Sequence, residues 1–332
     1  MRLAIIGSGS LGSLFAAFLS SQVDLVLLGH WPAQMARLRE SGLTLIHIDG
    51  HHSHHAFSVS RDPSAIPPVE IVLVLVKSYQ TLGAAREAES LLTPDGLAIT
   101  LQNGLGNLEM LARILGSNRV AQGVTSLGAN MVEPGIVRHA GNGQVYLAVS
   151  GNNRAILEQL AGWMNASGLE AELAADVDSL VWGKLAVNTG INPLTALLHV
   201  PNGFLASNET ARSLAYDAAE ETAAVADSLG INLPFPSAGL RTIEVAQHTA
   251  QNYSSMLQDV LRNAPTEIDA ICGEVIRYGR QSGVPTPINE EFFRLLTQSS
   301  NTTAAKHQTS EIKPLQVLLS ERKSLAINSI KK

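Results

Sequence analysis

The run Gly7-Ser8-Gly9-Ser10-Leu11-Gly12 sets the tightest limit on what this chain can fold into. Its glycines have the spacing G-x-G-x-x-G. It follows directly on the apolar run Leu3 to Ile6 and opens the helical stretch Leu11 to Ser20. In a strand–turn–helix each glycine has a task. Gly7 permits the tight turn, Gly9 lets the backbone approach a pyrophosphate, and Gly12 lets the helix pack close on the strand. The helix N-terminus then offers N–H groups and partial positive charge to phosphates. Gly7, Ser8, Gly9, Ser10, Leu11 and Gly12 are therefore expected to bind a nicotinamide dinucleotide. Arg2 followed by apolar residues to Leu19 has the outline of a secretory signal. The phased glycines, and a second apolar strand Leu25 to Leu28 after a helix-length gap, favour the strand–turn–helix. No stretch reaches the ~18 apolar residues a membrane span needs, so no membrane partner and a cytoplasmic setting are expected.

Strand and helix patterns alternate from there. Asp24 to Leu28 is the second strand, Trp31 to Ser41 a helix, and Leu43 to Ser60 an antiparallel excursion. Glu70 to Val76 is continuously apolar, as in a central parallel strand covered on both faces. Thr81 to Leu92 (helix), Gly96 to Leu101 (strand), Asn107 to Leu115 (helix) and Val120 to Ser126 (strand) complete an α/β pattern. The predicted fold is an N-terminal Rossmann dinucleotide-binding domain, residues 1–175. Beyond it the periods are helical: Asp178 to Val187, Glu209 to Leu229, Leu240 to Leu261 and Pro265 to Arg280. An all-α C-terminal domain, residues 176–332, is expected, with no role assigned to the tail beyond Ser299. A length of 332 residues with 45% apolar and 16% charged side chains suits two globular domains. The net charge of −6 argues against a nucleic-acid partner. Cys272 is the lone cysteine; it excludes an intrachain disulfide and falls on the apolar stripe Ile268, Ile271, Val275. His47, His51, His52, His54 and His55 match no zinc spacing, so no metal is expected.

The end of the second strand reads the cofactor's 2′ position. An NAD site usually places an acid there. Asp24 lies at the wrong end of the strand, whereas Gly29-His30-Trp31 ends it and Arg37 follows. A base without an acid favours a 2′-phosphate, so NADPH is expected, with NADH not excluded. Lys77 and Gln102-Asn103-Gly104 end the next two strands, where ligands sit in an open α/β sheet. Lys77 can reach ribose or phosphate and Asn103 the nicotinamide or substrate edge; a solvated lysine and a plain turn are the rival readings. In the second half, Lys184, Asn188 and Asn192 recur every fourth residue, along one helical face. One ammonium and two amides in line suit a small polar molecule, and a desolvated Lys184 could act as a general acid. Asn192 precedes Pro193, so the helix is expected to end or bend there. Glu267 follows Pro265 near a helix start, where the dipole favours negative charge.

These motifs resemble the ketopantoate reductase (2-dehydropantoate 2-reductase) family. The resemblance is carried by Gly7 to Gly12, Leu75 to Gln80, Gln102-Asn103-Gly104, Lys184 to Asn188, Ile191 to Thr195, Ser254 to Asp259 and Thr266 to Asp269, and covers residues 1 to about 295. It implies a Rossmann domain joined to a helical domain, with the active site in the cleft between them. It implies NADPH-dependent reduction of 2-dehydropantoate to pantoate, on the route to pantothenate and coenzyme A. Lys184 then matches the catalytic lysine that protonates the ketone oxygen. Glu267 matches a catalytic-site glutamate that helps hold substrate and cofactor. Asn103, Asn188, Asn192, Asn252 and Ser255 match substrate-binding positions; His30, Lys77 and Asn103 fall at cofactor positions. His30 stands where the family commonly has arginine, and Leu127 where some members have histidine. A monomer or homodimer is implied. Alternatives are a related NAD(P)H-dependent reductase of another 2-oxo acid, a dehydrogenase of 3-hydroxy acids or polyol phosphates, and a dinucleotide-binding sensor without chemistry. A sensor would have lost Lys184 or Glu267.

Overall fold

The computed structural model describes residues 1–149 and 153–301. The chain divides into two compact units, one ending at Val177 and one beginning at Asp178.

The first unit alternates as its apolar runs require. β1 (Arg2–Ile6), α1 (Ser10–Leu19), β2 (Asp24–Leu28) and α2 (Pro32–Ser41) come first. They are followed by β3 (Leu43–Ile46), β4 (His52–His55) and β5 (Ser58–Ser60), then β6 (Val69–Val74), α3 (Thr81–Leu91), β7 (Leu92–Thr100), α4 (Asn107–Leu115) and β8 (Val120–Thr125). The unit closes with β9 (Gly128–Glu133), β10 (Ile136–Gly141), β11 (Gln144–Ala148), α5 (Arg154–Ala166) and β12 (Glu170–Ala174). Eight strands form one sheet in the order β12-β11-β8-β7-β6-β1-β2-β5. Its ladders are parallel except β8–β11. β1 and β6 are buried almost throughout, because α1 and α5 cover one face and α3 and α4 the other. The signal-like N-terminus is β1, its turn and α1, whose Leu14, Phe15 and Leu19 are fully buried.

The excursion after α2 departs in part from expectation. β3 and β4 form the predicted antiparallel hairpin, but they join β10 and β9 in a second, four-stranded sheet. β5 pairs instead with β2 as the edge of the main sheet. β9 to β12 carry few fully buried residues, so their periodicity is weak and sequence reading passes over them.

In the described residues of the second unit, only helices occur: α6 (Val177–Leu198), α7 (Gly203–Ser207), α8 (Glu209–Ser228), α9 (Ala238–His248), α10 (Ser255–Leu261), α11 (Glu274–Ser282) and α12 (Pro287–Asn301). Three predicted spans change. α6 does not end at Asn192 but runs through Pro193. The lost hydrogen bond is outweighed by packing, since Thr189 to Leu197 are all buried. Leu240 to Leu261 is not one helix: Thr249 to Tyr253 break it, Ser254 caps α10 by accepting from the Leu257 N–H, and the carbonyls of Ala250 and Asn252 accept from Gly203 and Asn202. The helix expected from Pro265 starts at Ile268 and passes through a π-turn, Asp269–Gly273, before α11. The predicted tail beyond residue 301 lies outside the described residues.

Candidate functional site

In the first unit the three glycines of the opening turn prove unequal. Gly7 has φ +122°, and a Cβ there would lie 2.8 Å from the Leu75 carbonyl. Its N–H donates to the Leu28 carbonyl, which locks the turn to β2. A Cβ on Gly12 would fall 1.8 Å from the Gly7 carbonyl oxygen. Gly9 is different: a Cβ there would meet nothing within 4 Å. It caps α1 with extended backbone, and no side chain caps the helix or puts an acid in its first turn. An uncapped helix N-terminus facing open space fits the phosphates of a dinucleotide. The turn is braced from behind: Ser13 Oγ donates to the Ser8 carbonyl, Gln34 Nε2 donates to Ser13 Oγ, and Gln34 Oε1 accepts from the Gly135 N–H.

The neighbouring strand ends are tied together by Gln102. Its amide donates to the Val76 carbonyl (3.0 Å) and to Thr81 Oγ1 (2.8 Å), and accepts from Thr100 Oγ1. Half of the predicted amide pair is thus a brace that joins the loops after β6 and β7. Asn103, half-buried like Lys77, is anchored through its own carbonyl, which accepts from Asn107 Nδ2. At the end of β2, His30 Nε2 lies 2.5 Å from Glu87 Oε1. Sequence reading missed this acid, because it comes from α3 and not from the strand end. Asp24 is at the far end of β2, paired with Arg2.

In the second unit Lys184, Asn188 and Asn192 share one face of α6 as predicted. The helix is pinned there by close approach: a Cβ on Gly190 would lie 2.6 Å from the Ala215 carbonyl and from Thr242, and Thr189 Oγ1 bonds Thr222 Oγ1 at 2.8 Å. Burial lowers the Lys184 pKa from its ordinary value to about 8, and the charge of Glu267 partly offsets that fall. Glu267 is itself buried, one residue before the helix that carries the π-turn. The structure therefore brings Lys184 and Glu267 into electrostatic contact. Thr195 links Asn192 to α10: its Oγ1 donates to the Asn192 carbonyl or to Ser254 Oγ. Ser255 follows in the first turn of α10, half-buried, and Asn252 precedes it, exposed.

Of the histidine group, His47 and His55 both bond Ser53 Oγ at 2.7 Å, and His47 stacks on His51. Among the described residues no group of three or more His, Cys, Asp or Glu could hold a metal ion, and no helix is long and apolar enough to cross a membrane.

A doubly wound sheet with a glycine-rich turn at an uncapped helix start, and in the second unit a half-buried lysine beside a buried acid, are features found in dinucleotide-dependent oxidoreductases. Comparison with known proteins gives the family. Residues 3–152 match the model "Ketopantoate reductase PanE/ApbA" and residues 176–300 its C-terminal counterpart. The chain belongs to the ketopantoate reductase family, and it is an oxidoreductase. The 2-dehydropantoate 2-reductase of Halobacterium salinarum is 37% identical over 290 residues, 87% of this chain and 95% of that protein. The crystal structure of a PanE/ApbA family ketopantoate reductase from Ralstonia eutropha JMP134 is 30% identical, with TM-score 0.83, covering 91% of this chain and 99% of that one. A D-mandelate dehydrogenase, solved with NADH and anilino(oxo)acetate, is 25% identical with TM-score 0.83, covering 91% and 99%.

Proposed function

We propose that this chain reduces 2-dehydropantoate to pantoate with a reduced nicotinamide dinucleotide, and that Lys184 is the general acid. The carrying observation is Lys184, held half-buried on α6 with a pKa of about 8 beside Glu267. Reduction of a ketone needs a hydride at carbon and a proton at oxygen. The bound dinucleotide supplies the hydride. Lys184 supplies the proton, and a pKa near the working pH makes it an effective donor. Glu267 keeps enough protonated lysine present, and helps hold substrate and cofactor. Asn188 and Asn192, in line with Lys184, together with Asn103, Asn252 and Ser255, hold the polar groups of the 2-oxo acid, the serine toward its carboxylate.

Gly7 to Gly12, with Lys77 and Asn103, hold the dinucleotide; the open face of Gly9 and the uncapped start of α1 support this. Its phosphate form is decided at His30. A base at that strand end supports NADPH, but Glu87 stands against the same base, and the choice turns on it.

The second reading is a reductase of another 2-oxo acid by the same residues. It is favoured by the likeness to D-mandelate dehydrogenase, which was solved with anilino(oxo)acetate. Either reading leaves the units 1–177 and 178–332 as the working domains, in the cytoplasm, with a small-molecule substrate and a homodimer as the assembly to test.

The test is oxidation of NADPH and NADH, followed at the nicotinamide absorbance, on adding 2-dehydropantoate or aromatic 2-oxo acids. Turnover fastest with 2-dehydropantoate is expected, and Lys184→Ala should lower kcat at least ~10²-fold with cofactor Kd unchanged. No turnover across the panel overturns both readings.

A further inference from the structure

We propose that Glu87 reads the 2′ position of the adenosine ribose and biases this chain toward NADH. The proposal rests on Gly7–Gly12 being a dinucleotide site. Such sites place the adenosine beyond the end of β2, where a carboxylate accepts from the ribose hydroxyl. β2 itself has none there. The sheet order brings one from elsewhere: β1 lies between β2 and β6, and α3, which follows β6, packs over both β1 and β6. That lays Glu87 against His30, 57 residues away in the chain.

The contact has two effects. It occupies His30 Nε2, the base that a 2′-phosphate would need. It also puts a carboxylate, 20% exposed, where a phosphate would add like charge. A hydroxyl, by contrast, can donate to Glu87. Gly83 lies one turn earlier on the same face of α3, and a Cβ there would meet nothing within 4 Å. Among the described residues no neighbour requires a glycine at that position; it leaves room beside Glu87 for sugar or base. The exposed cations Arg61, which follows β5, and Arg86 on α3 are the groups a 2′-phosphate would have to recruit against Glu87.

The experiment titrates the full-length chain with NADH and with NADPH, following nicotinamide fluorescence without substrate, for wild type, Glu87→Gln and Glu87→Ser. Wild type should bind NADH at least ~10-fold more tightly, and both variants should shift the ratio toward NADPH by ~10-fold or more, as removal of one charge contact allows. Thermal unfolding of the variants checks the fold. The proposal is overturned if wild type favours NADPH, or if neither variant moves the ratio, as when Glu87 meets the adenine and both cofactors weaken equally. Failure of wild type to bind either cofactor would instead bring down the dinucleotide reading itself.

Discussion

At the scale of single residues, the three glycines of the first turn separate what the fold needs from what a ligand needs. Gly12→Ala forces a Cβ onto the Gly7 carbonyl. It should unfold or severely destabilise the first unit, read as a lost or lowered melting transition. Gly9→Ala meets no atom and keeps an allowed backbone. Its stability should stay within about 0.5 kcal/mol of wild type, while cofactor Kd rises at least ~10-fold if, as proposed, a pyrophosphate approaches the backbone there. Equal loss of stability in both variants would show that the turn is only structural. Lys184 carries a pH signature. As the proposed acid, Lys184 must be protonated for reduction; burial lowers its pKa to about 8, so kcat/KM should be level below that pH and fall about tenfold per unit above it. A rate that rises through pH 8 would exclude Lys184 as the acid.

Among the elements, helix termini and strand ends do most to place the site. α12 begins against a buried carboxylate on α8: Glu221 accepts from the Ile288 and Asn289 N–H groups and from Asn289 Nδ2, each at 3.0–3.1 Å. Removing it leaves the two backbone donors without that acceptor, while Asn289 Nδ2 keeps the Ala218 carbonyl. Glu221→Ala should cost about 3 kcal/mol, read as a lower urea midpoint with an unchanged slope. A change below about 0.5 kcal/mol would mean that water replaces the carboxylate. This element level was only partly legible in the sequence. β1, β2, β6 and α1 were, because parallel strands covered on both faces read as apolar runs. The breaks after Thr249 and around Asp269–Gly273 were not, because local periodicity continues across them while the backbone bonds to distant segments. Pro193 misled in the other direction, since burial of α6 outweighs the proline. The line Lys184–Asn188–Asn192 was legible because all three lie on one helix. Glu87 was not, because only the order of strands in the sheet brings it to His30.

For the whole molecule, the two units should respond differently to acid. His47, His55 and His139 are all in the first unit, and burial lowers the pKa of each below 6.5. They share one corner: Ser53 joins His47 to His55, and Phe18 meets the rings of both His47 and His139 edge-on. Like charge between His47 and its neighbours adds to the shift, and Asp49 opposes it. A histidine whose folded pKa is depressed binds fewer protons folded than unfolded near pH 6. Its stabilisation is complete above 6.5 and is lost as pH falls from there through the lowered folded values. Calorimetry between pH 7.5 and 5 should lower the melting transition of residues 1–177 more than that of the remainder. His139→Phe should reduce the difference; equal shifts in both units would refute this origin. The contrast between Gly9 and its two neighbours also bears on how such a chain would decay under relaxed selection. A descendant that kept this fold but no longer met a dinucleotide could not discard Gly7 or Gly12 without unfolding. It could discard Gly9 freely, so drift at that one position would be the earliest record of a lost activity.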